Sequence, residues 1–101
     1  IPPQLAPTKL AILPLVKKDG LPEIARALMN DCKNDFMCFY EEKDAIGKRY
    51  RRMDAIGTPY CVTIDHQTKE DQTVTIRYRD TMQQERISIN EVKKRVQEGI
   101  S

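Results

Sequence analysis

Residues 9–40, KLAILPLVKKDGLPEIARALMNDCKNDFMCFY, decide the fold of this chain. The run up to Val16 is apolar after Lys9, which predicts a strand buried on both faces that bends or ends near Pro14. Pro22 suits the first turn of a following helix, and the apolar residues of that helix fall on one face: Leu21, Ile24, Ala25, Leu28 and Cys32. Residues 36–40 form a second apolar strand, so the stretch predicts a right-handed β-α-β unit.

A second helix and a third strand follow this unit. Asp44 is predicted to cap the helix through its carboxylate, and Gly57 to end it in a left-handed conformation, with Pro59 as a stop. At 100° per residue, one side of the helix carries Ile46, Tyr50 and Met53, the opposite side carries Lys48, Arg51 and Arg52, and Arg49 lies at the seam. The apolar residues 60–64 then predict a third parallel strand.

The remainder of the chain predicts a meander and a last helix. Residues 65–72 are polar and predict a hairpin-like loop. Residues 73–79 alternate apolar and polar side chains, as in a strand with one polar face. A turn over 80–83 leads to a fifth strand over 84–88, and Ser88 with Glu91 predicts a capping box before the final helix. The order βαβαβββα indicates a mixed sheet with helices packed on it.

Length and composition place the chain in a narrow class. Its 101 residues suit one domain, and 17 Lys and Arg against 15 Asp and Glu give a net charge of only +2. No apolar run reaches the ~18 residues that a membrane helix needs, and no signal-peptide pattern is present. Three cysteines, an odd number, do not form a disulfide framework and favour a reducing cytoplasm. We expect residues 1–8, which are rich in proline, to be a linker from an upstream domain, and residues 9–101 to form the domain itself.

The residues that usually carry catalysis are not arranged for it. The four glycines are isolated, so neither a dinucleotide fingerprint nor a phosphate loop can form. His66 is the single histidine, in a polar stretch where a solvated side chain is expected. Cys32, Cys38 and Cys61 lack the spacing of a zinc site and are predicted to be buried packing thiols. We therefore expect no catalytic residue and no metal site in this domain.

Two segments are unusual for a purely structural surface. Residues 44–52, DAIGKRYRR, are strongly basic, and residues 77–81, RYRDT, place two arginines beside a tyrosine and an aspartate. A basic helix is often only a solvated face, and arginines on a strand can pair with acidic neighbours. Guanidinium planes, an aromatic ring and carboxylates also suit the binding of unstacked RNA bases.

Three stretches resemble a known family. They are LVKKDGLP (15–22), DAIGKRYRRMDAIGTPY (44–60) and TVTIRYRDTMQQ (73–84), and they are similar to the C-terminal anticodon-binding domain of glycyl-tRNA synthetases of the dimeric class II type. The resemblance covers essentially the whole chain after the prolines. One departure is Ala55, where the family commonly has an acidic residue.

The resemblance implies a fold and a set of partners. The fold is a three-layer α/β/α domain with a five-stranded mixed sheet of order 2-1-3-4-5, in which strand 4 is antiparallel. The partner is the anticodon loop of glycine tRNA, and no membrane is involved. ATP and magnesium belong to a catalytic domain outside this chain, so no cofactor is expected here. The full-length enzyme is expected to be a cytoplasmic homodimer and the isolated domain a monomer.

Two alternatives stay open from the sequence. One is a synthetase-like paralogue or polymerase accessory domain that binds another nucleic acid. The other is a flavodoxin-like or response-regulator-like switch domain, which would need a phosphate loop or an acidic cluster after the first strand.

The candidate binding residues fall into two groups. Because of their charge density, Lys48, Arg49 and Arg52 are expected to approach phosphates of the anticodon stem-loop. Glycine anticodons end in two cytosines, whose pairing edge offers an amine donor and two acceptors, so a carboxylate combined with a guanidinium suits them. That role is predicted for Arg77, Arg79, Asp80 and Glu85. Asp80 could instead pair with Arg79 or cap the turn.

Overall fold

A computed structural model describes residues 3–100. Ile1, Pro2 and Ser101, which the predicted domain boundaries include, lie outside the described residues. The strands are β1 (Leu10–Pro14), β2 (Cys38–Tyr40), β3 (Tyr60–Ile64), β4 (Thr73–Tyr78) and β5 (Gln84–Ser88). The helices are α1 (Leu21–Cys32), α2 (Ile46–Ala55), α3 (His66–Asp71) and α4 (Val92–Ile100), the last preceded by a 3₁₀ turn over Ile89–Glu91.

The five strands form one mixed sheet in the order β2-β1-β3-β4-β5. Strand β1 is parallel to both β2 and β3, whereas β4 is antiparallel to β3 and to β5. This topology confirms the fold class and the reversed fourth strand that the family resemblance implied. It brings the end of α2 and the end of β4 to neighbouring positions around β3.

Alternating side chains of the strands enter two separate cores. Leu10 and Ile12 of β1 belong to the larger core, together with apolar residues of α1 and α4. Ala11 and Leu13 point to the other face, where they meet Met53 of α2. Period-two alternation therefore makes the layers: α1 and α4 cover one face of the sheet, and α2 covers part of the other.

Most predicted elements are present, and the start of β2 is adjusted. Strand β1 ends at Pro14 and α1 begins after Gly20, whose φ of 79° is left-handed. Strand β2 starts at Cys38 and not at Phe36, because the Phe36 amide donates to the carbonyl of Cys32 at 3.3 Å and so belongs to the turn that closes α1.

The predicted loop over residues 65–72 is wrong, because this segment contains helix α3. Asp65 accepts a hydrogen bond from the Thr68 amide at 3.2 Å, while Thr68 Oγ1 accepts from the Asp65 amide at 3.1 Å. This reciprocal cap supports a short helix that ends at Gln72 in a left-handed conformation. The helix has no apolar stripe, which is why hydrophobic periodicity did not reveal it.

The predicted caps of the other helices differ in detail. The N-cap of α2 is Ala45, and Asp44 instead adopts a left-handed φ of 67° and accepts from Arg52 Nη2 at 2.7 Å. The predicted Asp44 cap is therefore wrong. Gly57 has a φ of 79° just after α2, as predicted. Ser88 caps the last helical segment, but its hydroxyl accepts from the Asn90 amide and not from that of Glu91, so it begins the 3₁₀ turn without the predicted capping box.

Arg49 joins α2 to the carboxyl ends of two strands. Its side chain is only 1% exposed. Nη1 donates to the carbonyl of Pro14 at 2.6 Å and to that of Glu41 at 3.1 Å, and Nη2 donates to the carbonyl of Leu15 at 3.0 Å. Burial lowers the pKa of the Arg49 guanidinium, yet the group keeps its charge because an arginine is not deprotonated in proteins. Three carbonyl dipoles therefore solvate a buried cation.

We predict that Arg49→Met destabilises the fold by about 3 kcal/mol, because it leaves buried carbonyls without their charged donor. The free energy of unfolding from urea titrations measures this effect. Arg51→Met is the matched control, since Arg51 lies on the same helix but is exposed, and it should change stability by less than about 0.5 kcal/mol. Equal losses in the two variants would contradict the structural role of Arg49.

Candidate nucleic-acid interface

The two segments singled out in the sequence meet where α2 passes beside β4. Asp54, near the end of α2, accepts two hydrogen bonds from Arg77 of β4, at 2.9 Å from Nη1 and 3.1 Å from Nη2. Such a bidentate pair fixes both the position and the plane of the guanidinium. The hydrogen bonds that Arg77 donates to Asp54 also raise the pKa of Arg77. The basic helix and the arginine strand thus form one continuous surface.

The plane of Arg77 is enclosed from two sides. Its central carbon lies 5.1 Å from the centre of the Tyr50 ring, within the range of a cation–π contact. In the turn between β4 and β5, the sulfur of Met82 lies 3.2 Å from Arg77 Nη2. Tyr50 itself is held by a hydrogen bond between its hydroxyl and Thr63 Oγ1. These contacts fix the Arg77 side chain in one orientation. This agrees with the alternative that Arg77 pairs with an acidic neighbour, here Asp54.

Arg79 lies on the same side, just after β4. Its Nε donates to the backbone carbonyl of Asp54 at 3.0 Å, and its amide donates to the carbonyl of Pro59 at 3.0 Å. Asp54 therefore positions both arginines, one through its carboxylate and one through its backbone. Nothing in the sequence pattern indicated Asp54, because its partners lie more than twenty positions away.

The sequence groups Glu85 with Arg77, Arg79 and Asp80 as a candidate reader of anticodon bases, but the structure places it on the other face of the sheet from the two arginines. Glu85 pairs with Ile76 in the β4–β5 ladder and so points to the face that carries α4. There its carboxylate accepts from Tyr78 Oη at 3.1 Å and from Arg95 of α4 at 2.9 Å. These hydrogen bonds, that from Arg95 first, lower the pKa of Glu85. The sheet itself separates Glu85 from Arg77.

The basic residues of α2 have three different environments. Arg49 is buried and engaged with backbone carbonyls, so the prediction that it lies at the seam of the helix and approaches phosphates is corrected. Arg52 is half-buried and pairs with Glu41 and Asp44, each at 2.7 Å. Lys48 is exposed, and so is Arg51. The solvent-facing charge of the helix is therefore carried by Lys48 and Arg51, with Arg52 beside them.

A pocket of about 270 Å³ opens at the end of the sheet where β3 begins and β4 ends. Its wall includes two aromatic rings, Tyr60 and Tyr78, with centres 5.8 Å apart and planes at 80°. Burial raises the pKa of both phenols, so they stay neutral around pH 7. The polar part of the wall comes from the hairpin turn: Asp80, Thr81 and Gln83.

Asp80 is exposed at the rim of this pocket. Among residues 3–100, no ion pair joins it to Arg79. Sequence reasoning selected Asp80 but missed Tyr60 and Gln83, because a tyrosine at a strand end and a turn glutamine carry no local signature.

Gly99 of α4 sets the position of the Tyr60 ring. A Cβ atom at Gly99 would overlap Tyr60 Oη and lie 2.6 Å from Cζ of the ring. The absence of a side chain at Gly99 thus gives the ring the space that it occupies. Any larger residue at this position must displace Tyr60, and with it one wall of the pocket.

Residues 3–100 offer neither a metal site nor a membrane-spanning helix. No cluster of three or more His, Cys, Asp or Glu side chains in this range could hold a metal ion. No helix within it has both the length and the apolar character to cross a membrane. His66 is exposed, and its Nε2 lies 2.9 Å from Asp19 Oδ2, an interaction that lowers the pKa of Asp19.

Residues 9–99 match the family described as anticodon binding domain. The chain belongs to the anticodon binding domain family. Membership supports the resemblance seen in the sequence and decides against the flavodoxin-like alternative. A solved structure described as the RNA binding domain of threonyl-tRNA synthetase from Cryptosporidium parvum has a TM-score of 0.85 to this domain. That match covers 98% of this chain and 25% of the other at 22% identity, so it shows the shared fold.

Among curated proteins, the similar sequences are named glycine–tRNA ligases. The ligase of Borrelia hermsii is 60% identical over 90 residues, which are 89% of this chain and 20% of that protein. The ligase of Treponema denticola is 51% identical over 98 residues, 97% of this chain and 22% of that protein. The ligase of Rhodopirellula baltica is 50% identical over 95 residues, which are 94% of this chain and 18% of that protein. The chain thus spans about a fifth of the length of these relatives.

We predict that Asp54→Ala destabilises the anticodon binding domain by about 1.5–3 kcal/mol, because it removes the charged bonds to Arg77, which is only 12% exposed. Asp44→Ala is the control, since the Asp44–Arg52 pair is 45% and 36% exposed and such surface pairs contribute less than about 1 kcal/mol. Urea unfolding of both variants tests the difference. A loss for Asp44→Ala as large as that for Asp54→Ala would refute the assignment.

Proposed function

We propose that this domain binds the anticodon stem-loop of glycine tRNA as the C-terminal domain of a glycine–tRNA ligase. The observation that best supports this proposal is the 50–60% identity to glycine–tRNA ligases across almost the whole domain. The geometry supports it with a basic helix, two positioned arginines and an aromatic-walled pocket. The ATP- and magnesium-dependent joining of glycine to tRNA belongs to a catalytic domain elsewhere in such a protein. We propose that the full-length protein is a cytoplasmic homodimer.

The helix α2 is proposed to contact the RNA backbone. Lys48 and Arg51 are exposed, and Arg52 is half-exposed beside them while paired with Glu41 and Asp44. Exposed cations attract phosphates without base preference, and each neutralised phosphate releases counterions. Arg51 takes the place that the sequence had assigned to Arg49, because only an exposed guanidinium can reach a phosphate.

The pocket and its rim are proposed to hold an anticodon base. A pocket of about 270 Å³ is of a size to admit one ring, and the Tyr60 and Tyr78 side chains offer aromatic surface for stacking. The Asp80 carboxylate at the rim suits the exocyclic amine of cytosine, which is a donor. The side-chain amide of Gln83 provides both a donor and an acceptor. Arg79, held by Asp54, borders the same turn.

The backbone role predicts a change in salt dependence. Lys48→Ala and Arg51→Ala should each weaken binding to all tRNAs alike and reduce the slope of log K against log salt by about one unit, because one phosphate contact is lost. Filter-binding titrations over a salt series measure the slope. Lys33→Ala, an exposed lysine that follows α1 on the other face of the sheet, should leave the slope unchanged. Unchanged slopes in both α2 variants would rule out the contact.

The base-reading role predicts selective losses. Asp80→Asn should weaken binding of glycine tRNA about 5–150-fold, equivalent to about 1–3 kcal/mol, and should affect a tRNA whose anticodon cytosines have been replaced much less. The ratio of the two affinities is the measurement. Equal losses on both tRNAs, with Asp80→Asn folded, would mean that Asp80 does not read a base.

Gly99→Ala tests the aromatic wall without altering any polar group. The new methyl group must displace Tyr60, so the same selective loss of binding is expected. Gly47→Ala is the matched control, because a Cβ at that helical glycine meets no atom within 4 Å. Wild-type selectivity in folded Gly99→Ala would exclude the pocket as the base site.

A further inference from the structure

The proline-rich segment before β1 (residues 3–9) lies against the domain. The Lys9 amide donates to the carbonyl of Met37 at 2.9 Å, which extends the pairing of β1 with β2 by one residue. Ala6, in the middle of the segment, is only 1% exposed. The proline segment is therefore fixed to the domain both by a backbone hydrogen bond and by a buried side chain.

The Lys9 side chain closes the proline segment into a turn. Its Nζ donates to the carbonyl of Pro3 at 2.7 Å and to that of Gln4 at 3.0 Å. Hydrogen bonds from a charged donor are stronger than those between neutral groups. Within residues 3–100, no ion pair of Lys9 competes with these two backbone acceptors. One side chain therefore sets the position of Pro3.

Pro3 forms part of the wall of the pocket at the end of the sheet. It is half-buried, and its ring adds an apolar surface to those of Tyr60 and Tyr78. Because the planes of the two tyrosines stand at 80°, a base stacked flat on one of them meets only the edge of the other. The wall thus combines the β4–β5 turn with a segment from the far end of the sequence.

We propose that Pro3 contacts the bound anticodon base and that Lys9 is the positioning residue that holds Pro3 in the wall of the pocket. This inference rests on the proposed function, since it assigns two further residues to the same base site. A wall that is in place before binding reduces the entropy cost when the base enters. Lys9 itself does not contact the RNA in this arrangement, because its ammonium group donates to backbone carbonyls.

A phosphate contact is the competing role for a lysine at an RNA surface, and the two roles predict different results. Loss of a phosphate contact weakens the binding of all tRNAs alike and reduces the slope of log K against log salt by about one unit. Loss of a positioning contact leaves that slope unchanged and weakens only the binding that depends on the base.

Filter binding of the full chain to glycine tRNA, and to a tRNA whose anticodon cytosines have been replaced, separates these roles. Lys9→Met should weaken binding of glycine tRNA about 3–10-fold, because the wall is no longer held in place. It should affect the replaced tRNA much less and leave the salt slope unchanged. Lys18→Met is the matched control, since it removes the same charge from an exposed position beyond the other end of β1, and it should preserve the ratio of the two affinities.

Pro3→Ala tests the wall directly, because it removes the proline ring and keeps the lysine. It should cause the same selective loss as Lys9→Met, whereas Pro7→Ala, which alters an exposed proline of the same segment, should bind both tRNAs as the wild type does. A second measurement needs no RNA. In NMR spectra of the unbound chain, the ring protons of Tyr60 and Tyr78 should shift in Lys9→Met and Pro3→Ala and stay unchanged in the two controls.

Three results would overturn this inference alone, provided that the wild-type chain distinguishes the two tRNAs. They are wild-type selectivity in folded Lys9→Met and Pro3→Ala, a salt slope reduced by Lys9→Met, and tyrosine resonances that neither variant shifts. A wild-type chain that binds both tRNAs equally would instead contradict the base-reading role of the pocket, and the role of Pro3 with it.

Discussion

The buried guanidinium of Arg49 is the interaction on which the arrangement of this domain depends. A cation that is 1% exposed must be solvated by the protein itself, and here the carbonyls of Pro14, Leu15 and Glu41 do so. Those carbonyls lie at the carboxyl ends of β1 and β2, so α2 can occupy only the position that brings Arg49 to them. One side chain therefore fixes the helix relative to the parallel half of the sheet.

The other end of α2 is fixed to the antiparallel half. Asp54 holds the guanidinium of Arg77 by its carboxylate and Arg79 by its backbone carbonyl. Between the Arg49 and Asp54 contacts, Lys48 and Arg51 lie exposed on the outward side of the helix. In the basic segment, Arg49 therefore stabilises the fold, whereas Lys48 and Arg51 remain exposed to solvent. The division gives the proposed RNA-binding face a rigid base, which keeps the entropy cost of binding low.

The sheet separates charged groups as well as cores. The face that α2 partly covers carries Arg77 and Arg79, whereas the opposite face carries the Glu85–Arg95 pair. The aromatic pocket lies at the end of the sheet, where Tyr60 rests against Gly99 of α4.

The sequence by itself determined the order of the main elements, the apolar faces of α1 and α2, and the polar face of β4, because these depend on local periodicity. Its characteristic motifs also indicated the family. Tertiary structure alone decided that Arg49 is buried, since its acceptors Pro14 and Leu15 lie more than thirty positions away. It also decided that Glu85 faces α4, because that depends on the register between β4 and β5. Periodicity reports which side of an element is apolar, whereas the role of a charged side chain depends on which distant groups the fold brings to it.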